Sequence, residues 1–284
     1  MEVQFTDNIV IKLADVLNPV VQRAKSIKIA VAFMKQSGYS LIERSLRECL
    51  DRGGEVEFLV GLDFRITEPG VLRTLWGLSS SGLPIRCYCF SDDSANDMPV
   101  YHPKLYLLND DENVVFSVGS SNLTRGGLRD NVEVNAVIKA NLREEIVSDI
   151  YGLYTRLKFE QKRVPPDLDY IEKYEAAYRQ VQRKSIVALQ GKKVRAIVRE
   201  LKEKEKSLPK VVPTGSELFG WQKLVYERVP YGEFRTSDMY VYEKEFESYY
   251  PENRHIKDKV RQILQQLGTI GLLKHPRRDR WERI

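Results

Sequence analysis

The chain has 284 residues, 42% of them apolar and 30% charged, with a formal net charge of +5. That length supports one sizeable core plus a smaller module, and the mild basic excess is compatible with nucleic acid without demanding it. No apolar run reaches the roughly 18 residues of a membrane span, and the opening MEVQFTDNIVIKLADVL is acidic and amphipathic, so neither a signal peptide nor membrane contact is expected and a cytoplasmic protein is predicted.

In chain order, β-rich runs at 27–34, 55–63, 85–90, 102–110, 113–121 and 132–140 alternate with helical spacing at 40–50 and 70–78. This predicts an α/β sheet domain over 1–160. Cys49, Cys87 and Cys89 lack further soft ligands at metal spacing, so buried reduced thiols are expected, with no metal and no cofactor. Asp110-Asp111-Glu112-Asn113 supplies turn residues between two strands, which predicts an antiparallel hairpin placing Lys104 beside Ser120.

From Leu142 the pattern is helical, and the Lys-, Arg-, Glu- and Gln-rich stretch after a Pro165-Pro166 break predicts an exposed helical connector over 161–212. Past Pro209 and Pro213 the composition turns aromatic, with Trp221, Phe234, Tyr240, Tyr242, Phe246, Tyr249 and Tyr250. An amphipathic helix at 256–267, a short run at 268–273 and a basic end follow, predicting a winged helix-turn-helix over 213–284. No internal repeat is present.

The chemistry concentrates in His102-Pro103-Lys104, Gly119-Ser120-Ser121-Asn122 and Glu133. A neutral His102 imidazole can attack phosphorus and form a phosphohistidine. Lys104, two residues on in a strand, shares its face and can neutralise phosphate oxygens. Ser120 and Asn122 can donate to the same phosphate. Glu133 can accept the other imidazole N–H and fix the tautomer. Singly, each of these residues is more often a satisfied structural side chain, turn or cap; in this order they assemble a phosphodiester pocket.

The ordered set resembles the phospholipase D superfamily, whose pattern is His-x-Lys, four residues, Asp, then Gly-Ser-x-Asn. His102, Lys104, Gly119, Ser120 and Asn122 match, and Glu133 matches the acidic residue of the family's nuclease branch. The family's Asp falls on Asn109. The resemblance implies a phospholipase D-like mixed sheet flanked by helices and a metal-independent phosphodiesterase. The run from Gly119 to Gly127 with Asn131-x-Glu133-x-Asn135 looks more like DNA-processing members than lipid hydrolases, and Arg125 is a candidate phosphate contact.

Superfamily enzymes generally use two histidines, yet the chain has 3 in all. His255-Ile256-Lys257 repeats His-x-Lys without Gly-Ser-x-Asn, at the start of a helix where residues two apart diverge, and His275 lacks the motif. A single copy predicts a homodimer through the catalytic domain, with one composite centre on the dyad cutting one strand at a time.

The C-terminal segment resembles winged-helix modules of certain type II restriction endonucleases, the methyladenine-dependent kind included. That resemblance implies a recognition helix from the Pro-x-Asn turn onward, with Asn253, Arg254, His255, Lys257 and Arg261 facing duplex DNA. Arg277, Arg278 and Arg280 would meet phosphate from the wing. A protein-interaction winged helix is the plainer alternative. The expected function is a restriction-type DNA endonuclease, with a cognate methyltransferase as a possible partner. A phospholipase or phosphatidyl transferase, and a catalytically idle DNA-binding regulator, are the competing readings.

Overall fold

A computed structural model describes residues 1–90, 100–159, 163–190, 192–207 and 214–284. The chain divides into two compact units, Met1–Arg195 and Ala196–Ile284. The first contains β1 (Glu2–Thr6), α1 (Leu13–Arg23), β2 (Ser26–Val31), α2 (Gln36–Asp51), β3 (Glu55–Gly61), α3 (Pro69–Ser80), β4 (Ile85–Phe90), β5 (Lys104–Asn109), β6 (Asn113–Gly119), β7 (Asn135–Asn141), α4 (Glu145–Lys158), β8 (Arg163–Val164) and α5 (Leu168–Gln190).

The strands form one 8-stranded sheet in the order β1-β7-β6-β5-β2-β3-β4-β8. β2, β3 and β4 run parallel, and the remaining pairings are antiparallel. Alternation along β5 explains how both faces are buried: Leu105 and Leu107 point to the core beneath α4, while Tyr106 and Leu108 point to the core shared by α1, α2, α3 and α5. On the α4 side the buried Glu57 carboxylate accepts from Tyr154 Oη at 2.9 Å and pairs with Lys158 Nζ at 2.6 Å. A buried carboxylate requires such partners, and here they pin α4 to β3.

The β5–β6 hairpin forms as the turn residues predict, with Leu105 opposite Val118 and Asp111 taking the left-handed conformation at the tip. The strand ends differ from expectation in a consistent way. β5 begins only at Lys104 because Pro103 has no N–H for the ladder, β6 stops at Gly119, and β7 starts at Asn135. His102, Ser120, Asn122 and Glu133 therefore lie in the loops just beyond strand ends.

The boundary expected at 160 also moves. The first half of α5 is a packing element of the first unit: Ile171 is fully buried, Tyr174 Oη donates to Thr67 O at 2.8 Å, and Arg73 pairs with Glu175 at 2.8 Å. Only the later part of the expected connector, running into α6 (Lys192–Ser207), reaches the unit boundary, and the breaks at Pro209 and Pro213 lie outside the described residues.

The second unit has α7 (Gly220–Tyr226), β9 (Glu233–Arg235), a 3₁₀ turn at Thr236–Tyr242, α8 (Glu243–Tyr249), α9 (Ile256–Thr269) and the hairpin β10 (Leu273–Arg277) and β11 (Arg280–Arg283), with strand order β10-β11-β9. Ile256, Val260, Ile263, Leu264 and Leu267 form the buried stripe of α9, at the spacing the sequence shows. Trp281 seals the wing against this core, its indole N–H donating to Thr236 Oγ1 at 3.0 Å. This is the expected winged helix.

If α5 belongs to the first unit, Ile171→Ala lowers that unit's stability in urea unfolding by about 2–5 kcal/mol, the cost of a buried cavity. A change within about 0.5 kcal/mol, the range of a surface substitution, would place α5 outside the fold.

Candidate active site

The site residues converge at one end of the sheet because the ladder brings them there. Val31 pairs with Lys104, Leu105 with Val118, and Gly119 with Asn135, so the end of β2, the start of β5, the end of β6 and the start of β7 lie side by side. Gly119 is required at that junction: a Cβ there would stand 2.3 Å from Val134 O and 2.4 Å from Asn135 Oδ1.

Beyond Gly119 the loop is held from beneath. The buried Asn135 amide accepts from the Ser121 N–H at 3.2 Å and donates to Ser121 Oγ at 2.8 Å, while Tyr106 Oη donates to Ser121 O at 3.0 Å. Asn8 Nδ2 donates to Gly127 O at 2.8 Å, tying the segment after β1 to the far end of the loop. With Ser121 anchored below, Ser120 and Asn122 are free to serve the surface.

His102 is exposed, and Lys104 reaches back to it. The Lys104 ammonium lies 2.6 Å from Nδ1, 3.1 Å from Nε2 and 3.0 Å from the His102 carbonyl. An ammonium has donors only, so it can bond the ring only at a nitrogen that carries no proton. The electrostatics agree: burial and the Lys104 charge hold the imidazole below the ordinary histidine range, with the Asp63 carboxylate pulling the other way. Burial lowers Lys104 as well, opposed by Glu133.

Asn122 Oδ1 accepts from the Phe33 N–H at 3.0 Å, which fixes the orientation of the amide. Glu133 has a different partner from the one the sequence suggested. Within the chain its carboxylate accepts a short hydrogen bond from the Ser120 hydroxyl, and Ser120 Oγ accepts from the Val134 N–H at 3.0 Å. Asp63, which sequence reasoning missed, is buried just past β3 and accepts from the Tyr101 N–H at 3.0 Å, and its charge favours the His102 imidazolium against the larger effects of burial and Lys104. Asn109 is remote from the chemistry: it ends β5, opposite in the strand to Lys104, and its Oδ1 accepts from the Asp111 N–H at 2.7 Å to close the hairpin. Arg125 is exposed and paired with Asp130 at 2.8 Å. No group of three or more His, Cys, Asp or Glu side chains stands together as a metal cage among the described residues.

In the winged helix, most of the cations expected to face DNA have internal carboxylate partners. Lys257 pairs with Glu243 at 3.3 Å, Arg261 with Asp258 at 2.8 Å, and Arg277 and Arg280 with Glu233 at 3.1 and 3.7 Å. Asn253 Oδ1 accepts from the His255 N–H at 2.9 Å at the entry to α9. Arg254 and His255 are exposed beside it, and Arg278 is exposed at the wing tip. His255-Ile256-Lys257 is thus part of a helix start in the second unit, and His275 packs on Trp281 with ring centroids 4.3 Å apart. His102 is the sole histidine in the first unit's sequence.

Residues 20–154 match the family model described as cardiolipin synthase, PLD-like domain, and residues 222–283 match the Dam-replacing HTH domain. Residues 20–154 of the first unit thus have a phospholipase D-like fold, and residues 222–283 of the second form a winged helix similar to the Dam-replacing HTH domain. Among solved structures, NucT from Helicobacter pylori is 17% identical with a TM-score of 0.43, covering 58% of this chain and 99% of its own. Nuc from Salmonella typhimurium, a phospholipase D family member, is 18% identical with a TM-score of 0.43 and the same coverages of 58% and 99%. Phosphatidylserine synthase from Haemophilus influenzae is 14% identical with a TM-score of 0.46, over 66% of this chain and 46% of its own. No curated protein matches the chain.

The role of Asp63 is open to direct measurement. Its charge favours the imidazolium, so Asp63→Asn should move the His102 titration midpoint, followed by NMR, further below the ordinary value near 6.5. A midpoint that stays fixed or rises would remove Asp63 from the site.

Proposed function

We propose that the protein is a DNA endonuclease in which the phospholipase D-like domain cuts and the winged helix selects the site. The observation that carries this reading is the Lys104 side chain set against the His102 ring, Nζ 2.6 Å from Nδ1, at the sheet end that also presents Ser120 and Asn122. An incoming phosphodiester would draw Lys104 onto its oxygens, with donors from the Asn122 amide and from the Ser120 hydroxyl once it turns from Glu133, and leave the imidazole as nucleophile. The His102 nitrogen bonds to phosphorus as the P–O bond to the leaving nucleoside breaks. Water then attacks the phosphohistidine, breaking the P–N bond and releasing the second end of the strand.

The leaving oxygen needs a proton and the attacking water must lose one. With one histidine per domain, the His102 of a second copy would supply both transfers, which makes the site a property of a homodimer. The surface supports this reading. Phe5 and Val118 both pair with Ala136, forming a row across β1, β7 and β6 beside the site. Phe5 is 68% exposed and Val118 43%, and Val132 and Val134, which flank Glu133, are 74% and 66% exposed. Exposed apolar residues on the strands and loop that carry the site suit a self-association surface.

For DNA recognition, α9 and the wing offer Arg254, His255 and Arg278 at once, and Lys257, Arg261, Arg277 and Arg280 by exchanging a carboxylate for a phosphate. Each exchange gives back part of the gain, so the wing would bind unspecific DNA more weakly than its arginine count implies. A cognate methyltransferase fits the restriction reading.

The decisive assay incubates the protein with supercoiled plasmid, methylated and unmethylated, in chelator. Cleavage that disappears in His102→Ala is the expected result; inactivity on both plasmids with retained DNA binding, or lipid turnover without cleavage, refutes the nuclease. Val134→Asp should yield an inactive monomer, and a fully active monomer would end the shared-site reading. In the second unit, Glu233→Gln should steepen the salt dependence of duplex binding by about one unit of slope per released arginine. An unchanged slope would mean that the wing does not meet phosphate.

A further inference from the structure

Phe64 lies where a hydrophobic residue has no evident reason to be. It follows β3, whose residues from Val56 to Gly61 are buried, yet the residue is 54% exposed. Its backbone is left-handed, with φ 59 and ψ 1, and Arg65 follows with φ 53. Two successive non-glycine residues in that region are rare, and a phenylalanine stays there only when its surroundings enforce it.

The enforcement is visible on both sides of the turn. Asp63 accepts from the Tyr101 N–H at 3.0 Å, and the Arg65 guanidinium donates to Leu62 O at 3.1 Å. Gln182 of α5 donates to Arg65 O at 3.0 Å, and the guanidinium lies over the Tyr174 ring at 6.0 Å. The turn is thus braced by α5, a helix whose charged surface reads in the sequence as a connector.

What this bracing achieves is the position of a ring. Phe64 meets Phe33 edge-on with centroids 6.4 Å apart, and Phe33 meets His102 edge-on at 5.6 Å. The two phenylalanines form a wall leading outward from the imidazole. They follow β2 and β3, off the carboxyl ends of parallel strands, where open α/β sheets bind ligands. A phosphate has no use for an exposed aromatic face, whereas a nucleobase does, and stacking accepts every base because each has a π surface.

We propose that Phe64 is a stacking platform for the nucleobase beside the phosphate held by His102 and Lys104. This subsite rests on the nuclease reading and deepens it: the catalytic domain grips an unstacked base whatever its identity, and sequence choice is left to the winged helix.

The test compares a fluorescent single-stranded oligonucleotide with an equal-length strand in which every base is replaced by an abasic residue. On the first strand Phe64→Ala and Phe64→Leu should each lower kcat/KM about 5- to 100-fold, and Phe64→Trp should retain activity. On the abasic strand the penalty should shrink to under about twofold, since the ring then has nothing to stack on. Equal penalties on both strands, no penalty on the first, or dissociation of a dimer by Phe64→Ala each overturn the proposal; the last would assign the ring to a second copy. If the unaltered protein cuts neither strand nor the supercoiled plasmid, the nuclease reading fails by itself. Fluorescence polarisation with His102→Ala, alone and combined with Phe64→Ala, then decides the subsite by the same comparison in Kd.

Discussion

The close approach at Gly119 is the constraint on which the site depends. With no side chain there, the end of β6 lies directly against Val134 and Asn135, and the Asn135 amide can take both the backbone and the hydroxyl of Ser121. That grip turns Ser121 inward, which leaves Ser120 and Asn122 for the surface. Filling the space at Gly119 would push the loop away from β7 and separate the donors from Lys104, since Lys104 is placed by the neighbouring strand of the same ladder. Glycine, serine and asparagine thus follow one another because each has a different mechanical duty, only some of which are chemical.

The hairpin and its motif were legible because they are local. Alternation in β5 and β6 gives the strands, Asp110 to Asn113 gives the turn, and short-range register then fixes which residues face each other. The winged helix was legible for a similar reason, since the apolar stripe of α9 repeats at helical spacing.

Long-range relations were not legible. β1 is an edge strand with four exposed residues ahead of the buried Thr6, so it carries no burial alternation to read. Asp63 and Phe64 are ordinary residues in sequence; their importance comes from a turn braced by Tyr101 and by Gln182, more than a hundred positions away. The partner of Glu133 was misjudged because a one-dimensional pattern cannot say which of two nearby polar groups a carboxylate will meet. α5 was misjudged because its surface is largely charged, and a few buried residues, Ile171 and Tyr174 among them, dock it.

The pairing of β1 with β7 has a consequence for the order in which the molecule is built. β1 is synthesised first, but its partner strand comes more than a hundred residues later, and Asn8 waits across 119 positions for the carbonyl of Gly127. Such distant closures are slow, so the hairpin β5–β6 can form early while the loop carrying Ser120 and Asn122 is still unbraced. Until β1 docks, β7 is a bare sheet edge able to pair with another chain. The loop that carries Ser120 and Asn122 thus depends for its bracing on a contact between two strands far apart in the sequence, β1 and β7.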